Sequence, residues 1–276
     1  MKLEVLLAIQ SWVGAFTKTI LGSHAFAVIA KSDSGLFAVD PEDYVVGRQL
    51  RMTGKYGLDE IERLKPHIAS DSRVLIVGAH VGTLAIPISK LCMDVVAIEA
   101  NPSTCDLLII NIALNSASNC QAINIAASNK NENIDFLISR ANSGGSKRVP
   151  KTKKFMYYYD NPEKISVKAV SLDTYLEKKD FDIIVMDIEG SEYFALQGMQ
   201  EILSKCKLLV VEFVPHHLRN ISGVTVEQFL SVIPSHFNRL TIPSKKRSLG
   251  ISEFVSCLTE MYNMEQGDNG IIFEKV

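Results

Sequence analysis

The chain has 276 residues, of which 47% are hydrophobic and 22% charged, with a formal net charge of −2. That size and apolar share supply one large core and exclude a mainly disordered chain. The near balance of charge offers no clustered basic surface, so nucleic acid is not an expected partner. The five cysteines, Cys92, Cys105, Cys120, Cys206 and Cys257, form no C-x-x-C pair. This argues against a zinc ribbon or a thioredoxin-like site and fits a reducing, cytoplasmic setting.

In chain order, "MKLEVLLAIQSWVGAF" opens with an apolar run interrupted by Glu4 and Gln10. It is too short and too polar to span a bilayer, and reads as an amphipathic helix packed on the domain or on a second subunit, which leaves a homo-oligomer open. "HAFAVIAKSDSGLFAVD" reads as two short strands around Ser32-Asp33-Ser34-Gly35. In "GLDEIERLKPHIA", Leu58, Ile61, Leu64 and Ile68 recur at helical spacing. Residues 1–70 are therefore expected to form a helical and β-hairpin extension packed on a core domain of residues 71–276.

From Arg73 the pattern becomes regular. Strand "RVLIVGA" precedes helix "GTLAIPISKLC", strand "DVVAIEA" precedes helix "STCDLLIINIALN", and strand "CQAINIAAS" follows. After a less regular region from Lys130 to Ser166, strand "FDIIVMDI" precedes helix "SEYFALQGMQEILSK", then strand "KLLVVEFV". Near-continuous apolar strands alternating with helices predict an α/β, Rossmann-like fold, a mostly parallel sheet covered on both faces. The polar stretch "SRANSGGSKRVPKTKK" reads as a long surface loop over the sheet edge that can serve as a lid. Lys245-Lys246-Arg247 reads as a solvated basic turn, and the final "GIIFEKV" as a last strand, antiparallel at the sheet edge.

The strand that ends at Val77 runs straight into a glycine turn, a common way to hold a nucleotide. No G-x-x-x-x-G-K-[ST] run occurs, and Gly78 and Gly82 form G-x-x-x-G, which lacks the second glycine of the dinucleotide fingerprint. The second strand ends in Glu99, placed to accept hydrogen bonds from both hydroxyls of a ribose. The competing reading is that Glu99 only caps the helix starting near Asn101 or Pro102.

In this order, "VLIVGAHVGTLAI", "VVAIEANPSTCDLLIINIALN", "INIAAS", "VSLDTYL", "MDIEGSEYFALQGM" and "LLVVEF" resemble the FkbM-type S-adenosylmethionine-dependent methyltransferases. The resemblance covers roughly Gly35 to Glu212, with "DIEGSE" and the upstream "SLD" its most specific elements. It implies a class I methyltransferase fold and S-adenosyl-L-methionine as cofactor. By matching position, Gly78, Ala79, His80 and Gly82 would wrap the methionine end, Glu99 would hold the ribose, and Ala127 with Ser128 would border the adenine. The chain departs from the family pattern at Ile76, where an acid that helps hold the loop and the cofactor's ammonium end is usual, and at His80, where Asn is frequent.

Methyl transfer to a hydroxyl needs alignment and removal of the hydroxyl proton. Asp187, at the end of "IIVMD", is placed as a catalytic and cofactor-side acid, with Glu189 and Glu192 just after it. Glu212 ends the next strand, and His216 and His217 follow. Two arrangements stay open: Asp187 and Glu212 holding a divalent cation such as Mg²⁺, or a metal-free site with His216 or Asp187 as general base. The second is preferred here, because Phe213 and Val214 are expected to turn Glu212 into the packing. The resemblance implies as acceptor a hydroxyl on a sugar, glycan or secondary metabolite. N-methylation on the same fold and a non-catalytic binding module are the alternatives.

Overall fold

The computed structural model describes residues 3–276. Helix α1 (Leu3–Leu21) lies along the domain at Gly14, where a Cβ would sit 2.3 Å from the carbonyl oxygen of Glu42. Lys18 adds an ion pair to Asp40 at 3.4 Å. The opposite face of α1, carrying Val5, Ile9, Trp12, Phe16 and Ile20, is exposed. The expected packing on the domain therefore covers one side of this helix only. Among the described residues, no helix is long and apolar enough to cross a membrane.

Strands β1 (Val28–Ser32) and β2 (Gly35–Val39) form the expected hairpin, followed by α2 (Val46–Thr53) and α3 (Leu58–Leu64). Then come β3 (Arg73–Val77), α4 (Ala85–Ser89), β4 (Asp94–Glu99), α5 (Pro102–Leu114) and β5 (Cys120–Asn124). Helix α5 begins where its sequence places a cap: the Asn101 side chain accepts from the N–H of Ser103, and Pro102 needs no donor. The buried Asn111 of α5 stitches the extension to the core. It accepts from the N–H of Ala38 and donates to the carbonyls of Ala38 and Val81, so the edge of β2 finds its partners in a side chain.

Two expectations change in the middle of the chain. The strand read as "CQAINIAAS" breaks at Ile125, and β6 (Ala126–Ala127) turns into a second sheet. That sheet holds β7 (Glu132–Ile138), β8 (Lys147–Arg148) and β9 (Glu163–Val170), in the order β6-β9-β7-β8. The region from Lys130 to Ser166 thus contributes strands to a small sheet in which β7 lies between β9 and β8. Its buried face, Ile134, Phe136, Val167 and Ala169, is a small core of its own, and its alternation in "ISVKAV" was readable as period two.

The rest comprises α6 (Leu172–Tyr175), β10 (Ile183–Met186), α7 (Glu192–Gln197), α8 (Gln200–Lys205), β11 (Leu208–Phe213), α9 (Pro215–His217) and α10 (Val226–Ser231). Strands β12 (Arg239–Ile242) and β13 (Arg247–Gly250), helix α11 (Ile251–Asn263) and strand β14 (Asp268–Glu274) complete it. The main sheet has eight strands in the order β13-β12-β14-β11-β10-β3-β4-β5. The five from β11 to β5 are parallel, and β14, β12 and β13 are antiparallel. The last strand is antiparallel as expected, but it is interior: β12 pairs with its outer side. Ile271 and Phe273 are accordingly fully buried, and the basic triplet 245–247 turns the outer hairpin.

The helix expected from "SEYFALQGMQEILSK" is two, α7 and α8, broken at Gly198. A Cβ there would sit 1.9 Å from the carbonyl oxygen of Ser128. The "SLD" segment clamps the break. Ser171 and the N–H of Asp173 donate to the carbonyl of Gly198, and the Asp173 carboxylate accepts from the N–H groups of Glu201 and Ile202. Because the obstacle is backbone, Gly198→Ala should cost about 1–3 kcal/mol, as overpacking does. The measurement is urea unfolding, with a lower midpoint and an unchanged slope. An unshifted midpoint would show that this contact yields freely.

Candidate active site

The chain leaves β3 toward β4 on one side of the sheet, and β10 toward β11 on the other. The crevice outside the carboxyl ends of β3 and β10 is therefore the topological switch point, where open α/β sheets bind ligands. Gly78, just past β3, lies against the residue just past β10: a Cβ on Gly78 would sit 1.8 Å from the carbonyl oxygen of Asp187. Gly78 and Gly82 both have φ of 89°, and His80 lies in the left-handed region at 52°. Gly82 serves packing, since its missing Cβ leaves room for Leu108 of α5.

Glu99 holds this turn. One carboxylate oxygen accepts from the N–H of His80 and the other from the N–H of Asn101, both at 2.8 Å. It thus ties the glycine turn to the start of α5, and it does the loop-holding expected of the acid missing at Ile76. Ile76 itself is buried in the core. Burial pushes the Glu99 carboxyl up to about 7, against the lowering effect of those backbone donors. His80 bonds through Nε2 to Ser143 at 2.6 Å, and burial pushes its imidazole down to about 4.

Two cavities meet at this turn. The first runs from Ala126, Ala127, Ile134 and Phe136 past Ile98, Glu99 and Gly78 to Asp187 and Glu189. The loop between β7 and β8 closes it with Ser143, Gly144 and Ser146, so the segment read as a lid forms part of its wall. The second cavity opens beyond Gly78 toward the extension and is lined by Tyr56, Glu60, Ala79, Thr83, Asp187 and Glu189, among others. The candidate residues Gly78, His80, Glu99, Ala127 and Asp187 line the first cavity, and Ala79 lines the second. Ser128 lines neither. It is fully buried, with its hydroxyl accepting from Arg148.

Beyond Asp187 lies a group of acids. Carboxylate oxygens of Asp187, Glu192 and Glu212 lie within 4.8 Å of one another. Glu212 therefore points into the site; it is not turned into the packing as its neighbours Phe213 and Val214 led the sequence reading to expect. The reason is His217, whose Nδ1 faces Glu212 at 3.2 Å and whose Nε2 faces Glu189 at 3.3 Å. Buried Lys147, from β8, pairs with Glu189 at 2.6 Å. Glu189 itself is held in the left-handed region, with φ of 56°, a conformation whose cost the lysine and histidine contacts offset.

Burial and the neighbouring carboxylates Glu189 and Glu192 hold Glu212 well above the usual carboxylate range. Burial holds His217 down. Burial also raises Glu189, but Lys147 and His217 outweigh it and hold Glu189 low. A protonated Glu212 donating to Nδ1, with Nε2–H donating to an ionised Glu189, satisfies all three groups. Glu192 ties its own turn, accepting from the N–H groups of Ile188 and Gly190. Asp187 accepts no hydrogen bond from the described residues and opens into both cavities. Asp187 is the solvent-exposed member of the cluster, and enclosure by the crevice walls, then Glu212 and Glu189, raise it above its ordinary range.

His216 lies outside both cavities, its Nδ1 3.2 Å from the hydroxyl of Tyr157, and burial pushes it down to about 4. Tyr157 sits in a short 3₁₀ turn beside Lys147. Sequence reasoning singled out neither Lys147 nor Glu60, and it gave His217 no role apart from its neighbour. The D-I-E-G-S-E turn was the one available signal for Glu189, because Glu-Gly at a strand end marks a tight, left-handed turn.

A family model described as the methyltransferase FkbM domain matches residues 77–236. No curated protein matches the chain. Among solved structures, the chain is similar to a methyltransferase FkbM from Methylobacillus flagellatus KT at 16% identity and a TM-score of 0.43. That likeness covers 74% of this chain and 44% of the other, so this chain spans less than half its length. A rRNA methylase from Streptococcus thermophilus is similar at 11% identity and a TM-score of 0.45, covering 80% and 98%. M. jannaschii TYW2 in complex with AdoMet is similar at 15% identity and a TM-score of 0.42, covering 91% and 87%. The family match extends over more than half of the chain and takes in Gly78, Glu99, Asp187 and Glu212: the chain belongs to the family of methyltransferase FkbM domains.

Proposed function

We propose that the chain is an S-adenosylmethionine-dependent methyltransferase that methylates a hydroxyl on a sugar, glycan or other small acceptor. The observation that carries this reading is the first cavity, which changes character along its length as that cofactor does. Its apolar end at Ala127, Ile134 and Phe136 suits an adenine, Glu99 suits a ribose, and the turn at Gly78 leads to Asp187. When bound, the cofactor supplies an electrophilic methyl group on a sulfonium.

The chain supplies the base. Asp187 is the carboxylate with free oxygens facing the cavity, and its raised proton affinity suits it to take the acceptor's proton. Glu189, pinned by Lys147 and His217, keeps its charge beside it and favours the proton arriving on Asp187. His216 is placed to hold Tyr157 rather than to exchange protons with a ligand. A divalent cation would find Asp187, Glu192 and Glu212 within reach. Glu192 already accepts from two backbone N–H groups, however, and Glu212 faces His217, so the cluster balances its charge with protons and protein donors. We take the reaction as metal-free.

Two outcomes test this reading. The ribose hydroxyls donate to the ionised form of Glu99, so binding releases a proton from a group that titrates near 7. The affinity for S-adenosylhomocysteine should then rise about tenfold between pH 6 and pH 8. Calorimetric titration measures it, and Glu99→Gln should bind more weakly with no such rise. A pH-independent wild-type affinity would place the ribose elsewhere.

For the base, Asp187→Asn should lower kcat by about 10²–10⁴-fold while changing cofactor affinity little. The wild-type rate should rise with pH through a value above the ordinary carboxylate range and persist in EDTA. Loss of activity in EDTA with return on Mg²⁺ would replace this scheme with the metal one. Transfer to amines but not hydroxyls would move the assignment to N-methylation. Equal losses of affinity and turnover in Asp187→Asn would make it a cofactor-holding residue.

A further inference from the structure

The second cavity contains a charge imbalance. Its wall presents the carboxylates of Glu60, Asp187 and Glu189, and no Lys or Arg among the described residues lines it. His80 is there too, but burial keeps it neutral at neutral pH. Glu189 is matched from outside the cavity by Lys147. Glu60, on α3, makes no ion pair and no side-chain hydrogen bond with the described residues, although it is enclosed enough that burial raises its pKa. Tyr56, one turn away, has its ionisation suppressed first by burial and then by the combined field of Asp187, Asp43, Glu60 and Glu189. A half-enclosed pocket in which Glu60 and Asp187 have no cationic partner among the described residues, with a phenol beside them, favours a ligand group that is cationic and donates hydrogen bonds.

Position narrows which cation that is. The cavity shares Val77, Gly78, His80, Gly144, Asp187 and Glu189 with the first cavity, so one ligand can occupy both by passing over Gly78. The acid that the family pattern leads one to expect for the amino-acid end, at position 76, is an isoleucine packed in the core. Glu99 has taken over the loop-holding part of that role, but it lies on the ribose side of the turn. Resting on the cofactor reading above, we propose that Glu60, reaching in from the N-terminal extension, binds the α-ammonium of S-adenosylmethionine in place of the acid absent at position 76. The extension then completes the cofactor site, which ties cofactor binding to the docking of α3 on the core.

The experiment compares two probes by calorimetry on the full chain: S-adenosylhomocysteine, and 5′-methylthioadenosine, which lacks the amino-acid end. Glu60→Gln keeps size and helix preference and removes the charge. It should weaken S-adenosylhomocysteine by about tenfold to a hundredfold, the size of one charged hydrogen bond, and leave 5′-methylthioadenosine unchanged. Glu60→Asp should recover part of the loss. Equal weakening of both probes would show a structural residue and overturn the assignment, as would undiminished S-adenosylhomocysteine binding in Glu60→Gln. If wild-type protein binds 5′-methylthioadenosine and S-adenosylhomocysteine equally well, the pocket serves another cation and the inference fails while the nucleoside site stands. If it binds neither, the cofactor reading itself fails.

Discussion

The site is organised by one close approach, the carbonyl of Asp187 against the Cα of Gly78. It arises because β3 and β10 are neighbours in the sheet while their connections run to opposite sides. The two chains leave their strands together, and there is no space for a side chain between them. Everything polar in the crevice takes its place from that contact. It sends the turn over β3 upward so that the N–H of His80 meets Glu99, and it sets Asp187 at the junction of the two cavities. A larger residue at 78 would have to displace backbone, which a packed parallel sheet resists.

Around that junction the protein gathers four carboxylates, Asp187, Glu189, Glu192 and Glu212, and such a cluster is costly in a half-enclosed site. The arrangement divides the cost by giving each acid a different surrounding. Glu192 is satisfied by backbone N–H groups, Glu189 by Lys147 and His217, and Glu212 faces Nδ1 of His217. Asp187 is left without a partner among the described residues, and the base role proposed for it rests on that asymmetry. Environments that push like groups apart in proton affinity are a general way of assigning acid and base roles.

The crevice also depends on parts of the chain far from the parallel sheet. The second sheet supplies the apolar wall of the first cavity through Ile134 and Phe136, and it brings Lys147 to Glu189. The extension, held to α5 by Asn111 and to the turn after β3 by packing on Val81 and Ile86, supplies Tyr56 and Glu60. Both additions wall the crevice at the strand ends, the second sheet through the first cavity and the extension through the second.

Much of this was legible in the amino-acid order. Runs such as "RVLIV" and "LLVVEF" are buried on both faces, so their composition alone marks parallel strands. The G-x-x-x-G turn, the strand-end acids Glu99 and Asp187, and the D-I-E-G-S-E segment lie at strand ends that local pattern determines. The hairpin at 28–39 and the cap at Asn101 were equally local. What pattern could not supply was pairing between distant segments. Whether β14 lies at an edge or inside the sheet depends on where β12 settles, and whether "CQAINIAAS" is one strand or two depends on β9, more than forty residues on. The same holds for the site. His216 and His217 are adjacent and chemically alike in sequence, and only the approach of Glu189 and Glu212 to one of them decides which belongs to the acid cluster. Lys147 and Glu60 carry no local motif at all, because a lone charged residue acquires its partner only when a remote segment folds against it.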